Sequence, residues 1–194
     1  MHTDTIPRTK ADNAEYLRSD ELRTLTLPSG ESLRELAAIL KESMKTDDRK
    51  QVQAASAALL AELANAFEVS PPPLKVLNAR PVRVTENYAT ETFGDYDFDS
   101  TLIRLWMRTA VQKKMTSYGT YLSTLCHEFC HHLDVVALNL PHTYHTRGFY
   151  ERSGLLYHHV QNTPVRTIIW NPHRNGTFSV DWARTMRQQS PKET

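Results

Sequence analysis

The pattern of apolar positions changes period twice along the chain. Ser32-Leu33-Arg34-Glu35 reads as a capping box that opens a helix to about Lys45. Thr46-Asp47-Asp48 reads as the start of a second, Ala-rich helix, with Val52, Ala55, Leu59, Leu63 and Phe67 at helical spacing. Together these predict an antiparallel helical hairpin over 21–70. Ser70-Pro71-Pro72-Pro73 then stops the helical pattern and marks a boundary. Beyond it the period shortens. Leu74 to Val84 is rich in Val and Leu, and Pro81 restricts it to an edge strand or two short pieces. Ala89 to Tyr96 and Leu102 to Met107 read as further strands around the turn-rich stretch from Gly94 to Ser100.

The helical period returns from Tyr121 to Leu140. Leu122, Leu125, Phe129, Leu133 and Val136 form one apolar stripe, and Gly119 and Pro141 punctuate the segment on either side. After a loop over 142–148, Phe149 to Val160 predicts another helix. Val165 to Trp170 and Thr177 to Val180 flank Asn175-Gly176, a hairpin signal. Residues 1–20 are mixed polar and are expected to be loosely ordered. The sum is an α+β protein: a small mixed sheet packed on the helix over 121–140, with an N-terminal helical hairpin. Residues 71–194 form the main unit and end in the C-terminal hairpin and tail.

Composition narrows the function classes. With 194 residues the chain fits one domain of modest core plus tails. Lys and Arg number 23 against 22 Asp and Glu, so no global field draws the protein to nucleic acid or to an anionic membrane. The apolar runs are too short to span a bilayer, and the polar stretch from Met1 to Asp20 holds no signal-peptide core. Cys126 and Cys130 lie four apart on one predicted helix face, poorly placed to bridge each other. They point to reduced thiols and a cytoplasmic setting.

The chemistry concentrates in His127-Glu128-Phe129-Cys130-His131, an H-E-x-x-H sequence within the predicted helix. Imidazoles four residues apart stand one turn apart on one face, where two neutral nitrogens can grip one tetrahedral Zn²⁺. At about 100° per residue they fall nearly opposite the apolar stripe, with Glu128 flanking the metal face. From there Glu128 can take a proton from a water that the metal polarises. A catalytic zinc site usually takes three protein ligands. His142, His145 and Glu151 are the downstream candidates. The extended metzincin pattern is excluded, because Asp134 and Ala137 stand where it needs Gly and His.

The H-E-x-C-H helix, followed by His145-Thr146-Arg147-Gly148-Phe149-Tyr150, resembles the SprT-like metallopeptidase domain over roughly residues 70 to 160. The resemblance implies a zincin layout, His145 as third zinc ligand, and an edge strand above the cleft that can hold an extended peptide. Many members add a Cys-rich zinc ribbon, which two cysteines cannot build. No basic DNA-binding segment is evident, so a DNA-linked substrate rests on the resemblance alone.

The expected activity is therefore peptide hydrolysis, with Zn²⁺ on His127, His131 and His145 and with Glu128 as general base. Tyr144, Tyr150, His173 and Arg174 are candidate oxyanion donors. Asp134, about a turn beyond His131, is placed either to orient a ligand imidazole or to lie solvated at the helix end. His132 should point away from the metal, and His158 and His159 read as helix-surface residues. The alternatives are a metal-binding scaffold without turnover, and a zinc hydrolase of non-peptide amides.

Overall fold

The computed structural model describes residues 1–84 and 89–187. The helical hairpin forms as the periodicity implies. α1 spans Lys10–Glu21, α2 Glu31–Lys45 and α3 Arg49–Ala66. Leu33, Ala37, Leu40 and Met44 of α2 face Val52, Ala55, Leu59 and Leu63 of α3, all buried. Asp48 caps α3 by accepting from Lys50 N at 2.8 Å. The capping box expected at Ser32 does not form. α2 begins two residues earlier, after Gly30, and the Ser32 hydroxyl instead lies 2.5 Å from Glu62 Oε1 of α3.

The Leu74–Val84 segment divides at Pro81 into β1 (Leu74–Ala79) and β2 (Val82–Val84). β3 (Ala89–Glu91) pairs antiparallel with β2 as a separate ribbon. β4 (Gly94–Tyr96) and β5 (Ile103–Arg108) complete a mixed sheet of order β1-β5-β4. β1 runs parallel to β5 and β4 antiparallel to it, with Gly94 opposite Leu105 and Tyr96 opposite Ile103. Ile103, Leu105 and Met107 are buried and alternate with partly exposed Arg104, Trp106 and Arg108, as one covered sheet face requires.

α4 (Tyr118–Val136) packs on β4 and β5 and beside α5 (Arg147–Gln161). Ser117 caps α4 through Thr120 N, so Gly119 sits inside the first turn and does not delimit the helix. Asn162 ends α5 in the left-handed conformation, at φ 53°. β6 (Trp170–Pro172) and β7 (Phe178–Val180) form the C-terminal hairpin, with Gly176 at φ 81° in its turn. A short α6 (Trp182–Met186), not expected from the pattern, follows under an Asp181 cap. One buried cluster runs from Leu33 and Leu63 through Val76 and Leu105 to Leu125, Phe129, Phe149 and Leu156. The helical hairpin thus shares its core with the segments beyond Pro73. No described helix is long and apolar enough to cross a membrane.

The expectation of a loose N-terminus is corrected. α1 buries Glu15, Tyr16, Ser19 and Asp20, a mostly polar set with no apolar stripe to betray it. Its end is tied to α5. Arg152 donates to Ser19 O at 3.0 Å and to Leu22 O, and Arg147 pairs with Asp20. Gly148 lies so close that a Cβ there would stand 2.1 Å from Ser19 O. Ahead of α1, Thr3 N donates to Phe178 O at 2.9 Å and Val180 N donates to Met1 O at 3.1 Å. Residues 1–3 therefore extend the edge of β7.

Candidate metal centre

α4 is buried nearly all round, and its two motif imidazoles face a cleft of about 350 Å³. His127 and His131 come from successive turns, with their Nε2 atoms 3.2 Å apart. His145 arrives from the loop before α5, its Nε2 3.1 Å from that of His127. The nitrogens of the three lie within 4.8 Å of one another, a grouping that can hold a metal ion. Ligands at about 2.0–2.1 Å on the corners of a tetrahedron stand roughly 3.3 Å apart. The two separations from His127, 3.1 and 3.2 Å, lie close to that value.

Local folding places His145. Thr146 caps α5 by accepting from Phe149 N at 3.1 Å, and its hydroxyl also meets Ser19 Oγ at 3.0 Å. Phe149, fully buried, forms the wall behind the imidazoles. Its ring stacks on His131 at 4.4 Å and meets His127 and His145 edge-on at 4.9 and 5.1 Å. The rival ligands are engaged elsewhere. His142 Nδ1 lies 2.7 Å from Glu15 Oε2, and Glu151 accepts from Arg23 and from Trp170 Nε1.

The tautomer of His131 follows from its neighbours. Asp134 is wholly buried, paired with Arg152 at 2.8 Å. Thr143 Oγ1 lies 3.1 Å from Asp134 Oδ2 and 2.7 Å from His131 Nδ1. An ionised carboxylate only accepts, so the Thr143 proton goes to Asp134 and its oxygen accepts from His131 Nδ1–H. That leaves His131 Nε2 bare and aimed at the convergence point. Of the two readings of Asp134, the structure takes the orienting one, through a hydroxyl. Thr143 holds φ 38°, uncommon for a β-branched residue, with that hydroxyl held between two partners.

Burial sets the protonation states. It pulls His127 down to about 3, helped by His145, and holds His131 well below its ordinary value, helped by His127. Both imidazoles are therefore neutral near pH 7, the form that ligates. Burial, then the nearby Asp95 carboxylate, push Glu128 up to about 8. Glu128 is 5 % exposed and faces the same cleft. A carboxyl poised near neutrality is suited to exchanging a proton. Gly94 of β4 closes over it, and a Cβ there would stand 2.9 Å from Glu128 Oε1.

The candidate oxyanion donors are not brought into the cleft. Tyr150 OH donates to His2 O at 2.9 Å, Tyr144 stacks on His142, and His173 meets Ser179 Oγ at 2.9 Å. Arg174 is exposed and does not line the cleft. His132 points away as expected. Its Nε2 donates to Ser70 O at 2.8 Å, which leaves Nδ1 to accept from Tyr96 OH at 3.1 Å. His158 meets Thr163 Oγ1 at 2.8 Å, and His159 packs against Gly30, so neither is a bare surface group. Cys126 and Cys130 are free and buried, and burial pushes the Cys126 thiol up to about 12.

Sequence reasoning missed six cleft residues: Asp4, Gly94, Asp95, Tyr96, Phe98 and Thr143. No local motif marks them. Comparison with known proteins returned no matching family model, no matching curated protein and no matching solved structure.

Proposed function

We propose that the chain is a zinc-dependent peptidase of zincin type, in keeping with its resemblance to SprT-like metallopeptidases. One observation carries this reading: three imidazoles converge, with His127 Nε2 3.1 Å from that of His145 and 3.2 Å from that of His131, beside a buried carboxyl, Glu128, in one cleft. An all-imidazole set of three suits zinc and leaves a fourth position free. Zinc bound there would lower the pKa of water and polarise a carbonyl. His127, His131 and His145 would hold it, oriented by Thr143 and backed by Phe149. In its ionised form Glu128 would take a proton on its carboxylate and return it to the leaving amine.

The cleft suits an extended chain. Among the described residues β4 is the edge of its sheet, and it brings Gly94, Asp95 and Tyr96 to the cleft wall. An unpaired edge can add a peptide strand through backbone hydrogen bonds, and the absent Gly94 side chain lets that backbone lie close to Glu128. Tyr96 and Phe98, in edge contact at 5.4 Å, offer an apolar wall for a substrate side chain. The test is hydrolysis of a peptide library with and without chelator. Glu128→Gln should keep its zinc and lose about 10²- to 10⁴-fold in turnover. Chelator-insensitive cleavage, or undiminished turnover in Glu128→Gln, would overturn the reading. A zinc-loaded wild type inactive on every peptide would point to the scaffold.

A further inference from the structure

We infer that Asp4 is a positioning residue for the third ligand, and that the segment holding it is a built part of the metal centre. The inference rests on the reading of His127, His131 and His145 as the metal site. His127 and His131 are carried by α4, whose backbone hydrogen bonds fix them. His145 stands on a loop with its side chain about one-third exposed, so its position must be imposed from outside.

Asp4 does this from two sides. Asp4 N donates to His145 O at 2.9 Å, and His145 N donates to Asp4 Oδ2 at 2.8 Å. The same carboxylate oxygen lies 3.5 Å from His145 Nδ1. With Nε2 aimed at the metal point, Nδ1 carries the proton, and a carboxylate beside it favours that tautomer and strengthens the ligand. Asp4 thus serves His145 as Thr143 serves His131.

The segment is itself anchored to three elements. Tyr16 OH of α1 donates to Asp4 O at 3.1 Å, and Tyr150 OH of α5 donates to His2 O at 2.9 Å. Thr3 exchanges two hydrogen bonds with Phe178 of β7, both 2.9 Å. An exposed ion pair formed by chance would lack these ties. Here the ligand loop, α1, α5 and β7 meet at residues 2–4, and Asp4 is where they touch the site.

The experiment measures zinc affinity by competition with a chromophoric chelator, for wild type, Asp4→Ala and Asp4→Asn. The visible bands of the cobalt-substituted proteins and thermal melts in chelator accompany it. Asp4→Ala should bind zinc about 10- to 100-fold more weakly and shift the cobalt bands. Asp4→Asn, whose amide oxygen still accepts from His145, should recover most of the affinity. The melts in chelator should superimpose. Wild-type affinity in Asp4→Ala would overturn the inference. So would equal losses in both variants, or a collapsed melt, since either marks a purely structural role. A wild type that binds no zinc would instead overturn the metal reading itself, and this inference with it.

Discussion

Thr143 Oγ1 stands 2.7 Å from His131 Nδ1 and donates its own hydrogen bond to the buried Asp134 carboxylate. The contact joins the ligand loop to α4 and selects the imidazole tautomer whose Nε2 faces the cleft. Thr143→Val removes the acceptor while keeping the shape. It should weaken zinc binding about 10- to 100-fold, and Thr143→Ser should restore it. Competition titration checks both. Equal affinity in Thr143→Val and wild type would remove the hydroxyl from the account.

Arg152 is fully buried and pairs with Asp134 at 2.8 Å, while also donating to Ser19 O. Arg152→Met would leave Asp134 buried without its charge partner and release the end of α1. Folding stability should fall by about 3–5 kcal/mol. Urea unfolding in chelator measures this, and a loss below about 1 kcal/mol would place the pair with ordinary surface bridges.

His142 sits on the cleft rim, and its hydrogen bond to Glu15 holds its pKa above the ordinary value of 6.5. A raised folded value means the pair stabilises fully below 6.5 and loses that contribution as pH rises through the folded value. Glu15→Gln should therefore cost stability in mild acid and not in alkali. In NMR titrations the His142 ring should move back toward 6.5 in that variant. An unchanged midpoint would show that Glu15 is not its partner in solution.

Gly94 leaves room for Glu128. A Cβ at this position would lie 2.6 Å from Thr124 Cγ2 and 2.9 Å from Glu128 Oε1. Gly94→Ala should cost about 1–3 kcal/mol through overpacking and displace the carboxyl. Denaturation together with peptide turnover tests this, and a variant equal to wild type in both would show that β4 shifts freely.

The legible parts of the molecule are those written in local pattern. α2, α3, α4 and α5 carry apolar stripes, and Pro81 and Asn175-Gly176 punctuate strands where the structure breaks them. H-E-x-x-H is a local spacing too, so two members of the triad could be placed from five residues of sequence. α1 was not legible, because Glu15, Ser19 and Asp20 are buried through hydrogen bonds and ion pairs, which leave no periodic trace. Asp4 was not legible for a related reason: it lies 141 residues before His145, and only the completed fold joins them. Asp134 could be placed on the right helix face, but its link to His131 runs through Thr143, nine residues on and held at a positive φ.

The central claim is that His127, His131 and His145 together bind one metal ion, and zinc titration of chelator-treated protein tests it most directly. Wild type should take up about one zinc per chain. His127→Ala, His131→Ala and His145→Ala should each lose tight binding, while His142→Ala and Glu151→Ala retain it. Full zinc uptake by the His127→Ala or His145→Ala protein, or its loss in His142→Ala, would contradict the assignment.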